Sequence, residues 1–134
     1  MSRRILLVDD EVSLRSIIAR VLRLEEYEVT EASDGFEAWG LAKKTRFDLL
    51  ITDSLMPHLS GSELVTRLRD LHPALPILQI SGSHGSGSEE MMRGVACLFK
   101  PFGVGDLVTA VRGLLCWLLL HVPALTPEMR SVLD

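Results

Sequence analysis

Short aliphatic runs alternate along the chain with longer segments in which apolar residues recur at helical spacing. Arg4–Val8, Glu28–Thr30, Leu49–Thr52, Ile77–Ile80 and Ala96–Phe99 read as strands. Leu14, Ile17, Ile18, Val21 and Leu22 fall at i, i+3, i+4, i+7 and i+8, the stripe of an amphipathic helix. Phe36, Trp39 and Ala42 mark a second helix, and Leu64, Val65, Leu68 and Leu71 a third. A last helix runs from about Asp106 towards Leu120, with Leu107, Val111, Leu114, Leu115 and Leu118 on one stripe.

Local chemistry agrees with these periods. Ser60 to Glu63 reads as a capping box, Asp34 stands three residues before Glu37, and Ser86 stands three before Glu89, where a further helix would start. Pro73 and Pro76 close the third helix before the next strand. Strands alternating with helices in this way predict an α/β fold, a five-stranded parallel doubly wound sheet with five helices on its two faces. The near-continuous apolar character of Leu49–Ile51 and Ile77–Ile80 suits strands buried on both sides. The stretch from Gly82 to Ser88 is rich in glycine and serine and reads as a loop.

A length of 134 residues fits one domain, and 47% hydrophobic with 24% charged residues is a globular profile. The net charge of −4, without a block of lysine and arginine, argues against direct nucleic-acid binding. The apolar run after Arg3 and Arg4 stops at Asp9, too soon for a signal peptide, and Leu114 to Leu120 is too short to span a membrane. Cys97 and Cys116 show no disulfide framework and no metal-ligand spacing. The expectation is a cytoplasmic protein.

The polar residues interrupt the apolar runs at informative places. In open α/β sheets, ligands bind beyond the carboxyl ends of the strands. Here the first strand ends in Asp9, Asp10 and Glu11, the third in Asp53, the fourth in Ser81, and the fifth in Lys100 and Pro101. The topology therefore gathers them at one edge. Clustered carboxylates repel one another and call for a hard cation, and Mg²⁺ suits one or two carboxylates, waters and a phosphate oxygen. An aspartate can attack phosphorus to form an acyl phosphate. A fixed cation, Lys100, and a hydroxyl donor, Ser81, would then stabilise the transferred group. A carboxylate at the tip of an apolar strand is costly unless it is used, which singles out Asp53 as the acceptor.

With "ILLVDDE", "DLLITDSLMPHLSG", "ILQISG" and "LFKPF" in this order, the chain resembles the receiver domain of two-component response regulators from about Arg4 to Leu118. The resemblance implies a flavodoxin-like strand order 2-1-3-4-5. It implies Asp53 as phosphoacceptor, Asp9, Asp10 and Asp53 as Mg²⁺ ligands together with the Leu55 backbone carbonyl, and Ser81 and Lys100 as groups that follow the phosphoryl oxygens. It also implies a cis bond between Lys100 and Pro101. The family commonly carries an aromatic switch residue three positions before the lysine. Cys97 stands there instead, so the coupling between Ser81 and that position is expected to differ from the family pattern.

The resemblance further implies a histidine kinase or phosphotransfer protein as phosphoryl donor. Phosphorylation would bias a two-state equilibrium involving Ser81, the loop after it, and the face formed by the fourth helix, fifth strand and fifth helix. The chain would be no enzyme beyond promoting its own phosphotransfer and dephosphorylation. It would divide into a receiver domain over 1–120 and a tail over 121–134, where Thr126, Pro127 and Glu128 signal a short helix. No DNA-binding region follows, so the expectation is a stand-alone receiver or one cut from a larger regulator or hybrid kinase.

Two rival functions come from other classes. An interaction module that keeps the fold without phosphorylation would explain Cys97 but not the intact acidic set. An aspartyl-phosphate phosphatase of the haloacid dehalogenase type would want an acid two residues after Asp53, where Leu55 stands. For single residues the plainer readings prevail: His58, His72, His84 and His121 as surface histidines, and Cys97 as a small core residue rather than a redox switch. The second half of the last helix is apolar all round. Trp117, Leu119 and Leu120 therefore either pack against the tail or form a patch for a partner, and the expectation is the latter, a homodimer contact or a docking face for another domain.

Overall fold

The computed structural model describes residues 2–56, 58–82 and 95–121, with side chains described as far as residue 116. Five strands, β1 (Arg4–Val8), β2 (Glu28–Ala32), β3 (Leu49–Asp53), β4 (Ile77–Ser81) and β5 (Val95–Phe99), form one parallel sheet in the order β2-β1-β3-β4-β5. Among the described residues there are four helices: α1 (Val12–Leu24), α2 (Gly35–Lys44), α3 (Gly61–Leu71) and α4 (Val104–His121). The further helix expected to start near Ser86, and the tail helix at Thr126, lie outside the described residues.

Burial follows strand position. β3 and β4 are central and buried at every residue, while β2, at one edge, buries only Ala32 fully. Because side chains alternate across a strand, the apolar residues divide into two layers. Leu6, Val8, Leu50 and Ile77 pack with Ala38, Ala42, Leu64 and Leu68 on the α2 and α3 side. Ile5, Leu7, Leu49, Ile51, Leu78 and Ile80 pack with Ile18, Leu22, Leu107, Val111 and Leu115 on the α1 and α4 side. Each fully buried leucine or isoleucine contributes about 2 kcal/mol of transfer free energy.

Helix starts are fixed by the expected caps. The Ser60 hydroxyl accepts from the Glu63 N–H at 3.2 Å, and the Asp34 carboxylate accepts from the Glu37 N–H at 2.8 Å. Glu37 in turn accepts from the Ser33 hydroxyl at 2.8 Å, tying the first turn to the residue before the cap. α4 starts at Val104, two residues ahead of the expected Asp106. The reason is that Asp106 itself accepts from the Gly103 N–H at 2.9 Å and so belongs to the first turn.

The expected stripes need three corrections. Phe36 is 52% exposed, and the buried face of α2 is Gly35, Ala38 and Ala42. Small residues take that face because the helix sits close to the chain before α3: a Cβ on Gly35 would meet Leu59 at 2.8 Å. Ile17 and Leu71 are likewise exposed, each at the margin of its helix stripe. Phe36 and Trp39 lie instead beneath the Arg67 guanidinium, 5.9 Å from each ring, with Lys43 5.4 Å from Trp39.

Candidate functional site

The order of the sheet decides where its chemistry meets. From β1 the chain goes outward to β2 and then crosses to β3 on the other side of β1, so the two connections diverge between β1 and β3. Asp9 and Asp10 leave β1 at that point, and Asp53 ends β3 beside them. Asp9, Asp10 and Asp53 each offer a carboxylate oxygen within 4.8 Å of the others. Lys100 follows β5 and brings its Nζ to 3.6 Å from Asp53 Oδ2. Ser81 ends β4 and is buried, and its carbonyl accepts from the Lys100 N–H at 2.9 Å, tying the ends of β4 and β5 together. The bond between Lys100 and Pro101 is cis.

Main-chain donors orient the two inner carboxylates. The Glu11 N–H donates to Asp9 Oδ1 at 2.9 Å, and the Leu55 N–H donates to Asp53 Oδ1 at 3.2 Å. Asp53 is only 8% exposed and Asp9 1%, while Asp10 is exposed. Asp9 Oδ2 is buried without a hydrogen-bond partner. Desolvation pushes the Asp9 carboxyl up from 3.8 to about 6; the Glu11 N–H opposes this, Asp53 adds to it, Lys100 opposes it, and Asp10 adds to it.

A hard divalent cation fits this cluster. It is an all-oxygen, triply acidic donor set, with one buried oxygen whose lone pairs nothing else uses. The same geometry lets a carboxylate react at the rim, since Asp53 is held from both sides by Leu55 and Lys100 yet keeps some exposure. Leu55, whose N–H holds Asp53, is itself 78% exposed.

The structure brings Asp9, Asp10, Asp53 and Lys100 together, with the Leu55 N–H on Asp53 and the Ser81 carbonyl on the Lys100 N–H. Cys97 lies in the middle of β5, opposite Gln79 of β4 and half-buried, two residues short of the strand end. His58, exposed with φ of 70°, and His72, which follows α3, belong to no group of three or more possible metal ligands among the described residues; His84 and the His121 side chain lie outside them. The side chains of Trp117, Leu119 and Leu120 also lie outside the described residues, and with them the expected contact face. No helix among the described residues is long and apolar enough to cross a membrane.

Two contributors escaped the reading of the sequence. Gly61 opens α3 directly beneath the end of β3, where a Cβ would overlap the Asp53 carbonyl oxygen. The signal for it was the glycine just after the Ser60 cap. Arg15 reaches back from α1 to donate to the Asp9 carbonyl at 2.7 Å. Its only sequence signal was a basic residue beside the apolar stripe of α1, which usually means a solvated face.

Comparison with known proteins agrees with this architecture. The model of the response regulator receiver domain family matches residues 5–112. The chain is 31% identical over 116 residues to the probable transcriptional regulatory protein TcrX of Mycobacterium tuberculosis, covering 83% of this chain and 49% of that protein. It is 36% identical over 110 residues to the sensor protein EvgS of Escherichia coli, covering 78% of this chain and 9% of that protein. It thus spans about half of the first relative and a small part of the second. The structure of the chemotaxis protein CheY4 of Vibrio cholerae superposes with a TM-score of 0.77 at 31% identity, covering 85% of this chain and 99% of that one. Its sheet order, its acidic strand ends and the match over residues 5–112 together make the chain a member of the response regulator receiver domain family of two-component systems.

Proposed function

We propose that the chain is a phosphorylation-dependent signalling switch in which Asp53 accepts a phosphoryl group from a histidine kinase or phosphotransfer protein. The observation that carries this reading is the meeting of Asp9, Asp10 and Asp53 within 4.8 Å, with Lys100 Nζ 3.6 Å from Asp53. An Asp53 carboxylate oxygen attacks phosphorus, an O–P bond forms as the N–P bond of the donor's phosphohistidine breaks, and the imidazole nitrogen takes the electron pair. The Leu55 N–H and Lys100 hold the two Asp53 oxygens, so the nucleophile meets phosphorus already oriented. Lys100 then balances charge on the phosphoryl oxygens, and the Ser81 hydroxyl donates to one of them. Mg²⁺ bound by Asp9, Asp10, Asp53 and the Leu55 carbonyl would supply charge neutralisation for the incoming phosphoryl group. Water later attacks the acyl phosphate, releasing inorganic phosphate and restoring the carboxylate.

In this reading the chain turns over no separate substrate, so it is a switch rather than an enzyme. It works in the cytoplasm, where a kinase supplied with ATP can reach it. Its output passes through Ser81 towards β5 and α4, with Cys97 in place of a large aromatic ring. The unphosphorylated interaction module remains the second reading, favoured by the small side chain at position 97. Incubation with acetyl phosphate and Mg²⁺, followed by intact mass, separates the two. A gain of one phosphoryl group that Asp53→Asn abolishes supports the switch. No gain supports the module, and steady phosphate release without a retained adduct supports a phosphatase.

A further inference from the structure

We propose that Arg15 is the positioning residue of the acidic cluster: from α1 it fixes the Asp9 main chain so that Asp9 Oδ2 faces a divalent cation. The proposal rests on the reading of the cluster as a Mg²⁺ site.

Three of the four polar atoms of Asp9 are engaged. Its N–H donates to the Ala32 carbonyl of β2 at 3.1 Å, its carbonyl accepts from Arg15 at 2.7 Å, and Oδ1 accepts from the Glu11 N–H at 2.9 Å. Only Oδ2 is left, buried and without a partner. A buried carboxylate oxygen without a donor is uncommon, and a bound ion is one of the partners that satisfies it. Among the described residues, Arg15 supplies the side-chain hydrogen bond that restrains Asp9. Its guanidinium bonds to a carbonyl and to Glu31, and it leaves Oδ2 unquenched.

Arg15 is itself held. Its side chain is 14% exposed, and its Nε lies 3.3 Å from Glu31 Oε1 on β2. Glu31 Oε2 is 3.4 Å from Arg23, which also donates to the Val29 carbonyl at 2.8 Å. The guanidinium therefore spans from Glu31 on β2 to the Asp9 carbonyl at the end of β1. Two divergent donors in one plane are what arginine offers and lysine does not. Partners that orient a ligand without touching the metal commonly change affinity 10- to 100-fold.

The test titrates Mg²⁺ into the intact chain and follows the backbone amide shifts of Glu11 and Leu55 by NMR. Urea unfolding in EDTA measures metal-free stability in parallel. Arg15→Gln is expected to raise the Mg²⁺ dissociation constant at least tenfold, Arg15→Lys and Glu31→Gln by a smaller factor, and the exposed Arg20→Gln not at all. A merely structural Arg15 would lower stability in EDTA and leave the dissociation constant within twofold, which overturns the proposal. If Arg15→Gln does not fold, Arg15→Lys and Glu31→Gln decide by the same criterion. A wild-type chain that binds no Mg²⁺ overturns the metal reading itself, a result distinct from equal binding by wild type and variants.

Discussion

Replacing Asp9 by asparagine should stabilise the metal-free protein, and by an amount that depends on pH. The folded state raises the Asp9 carboxyl from 3.8 to about 6. Between those values the native chain holds a proton that the unfolded chain has released. Stability contributed by this group is therefore complete below about 3.8 and is lost as pH rises through about 6. A shift of roughly two units corresponds to about 3 kcal/mol of penalty for the charged form at neutral pH. Asparagine keeps the carbonyl that accepts from the Glu11 N–H, removes the charge, and sets its amide beside the Asp10 and Asp53 carboxylates, which accept hydrogen bonds. Urea denaturation in EDTA should show Asp9→Asn more stable than wild type by about 2–3 kcal/mol at pH 7.5, with the gap closing by pH 4. Saturating Mg²⁺ should narrow the gap at pH 7.5 by stabilising wild type alone. An equal gain at both pH values, or a loss at pH 7.5, would refute the assignment of the penalty to a buried charge.

Other perturbations test the frame around the site. Gly61→Ala should cost on the order of 2–3 kcal/mol in urea denaturation, because the new methyl group overlaps the Asp53 carbonyl and forces α3 off the end of β3. Ser60→Ala, which removes the acceptor for the Glu63 N–H, should cost about 1 kcal/mol, and Ser60→Asp should restore most of it. Arg112→Ala breaks a 3.3 Å ion pair to Glu25 whose partners are largely exposed; its effect should stay below about 0.5 kcal/mol and shrink further in salt.

Most of the architecture could be read from periodicity alone, for a physical reason. Strands buried on both faces must be apolar throughout, so β1, β3 and β4 announced themselves, and their last residues marked the edge where Asp9, Asp53 and Ser81 meet. Helix faces were less legible. A 3.6-residue period gives a direction but not the gap to be filled, and at α2 that gap admits Gly35 and Ala38 but not Phe36. The meeting of Asp9, Asp10, Asp53 and Lys100 showed in the sequence because these chemically matched groups stood at strand ends. Arg15 and Gly61 did not, because each acts through a backbone carbonyl, and a carbonyl leaves no trace in residue type.

The parallel sheet also divides labour between its two ends. All the acidic and basic groups of the site leave the carboxyl ends of strands, while the connections Glu25–Tyr27, 45–48 and 72–76 enter at the opposite rim. Among the described residues that rim carries peripheral ion pairs, Arg4 with Glu28 at 3.5 Å and Arg3 with Asp48 at 4.0 Å, and Arg69 donates there to the Pro73 carbonyl at 3.0 Å. Tags, lengthened turns or a circularly permuted break can be introduced there without disturbing the carboxylates at the far end. Natural drift in loop length should accumulate at the same rim.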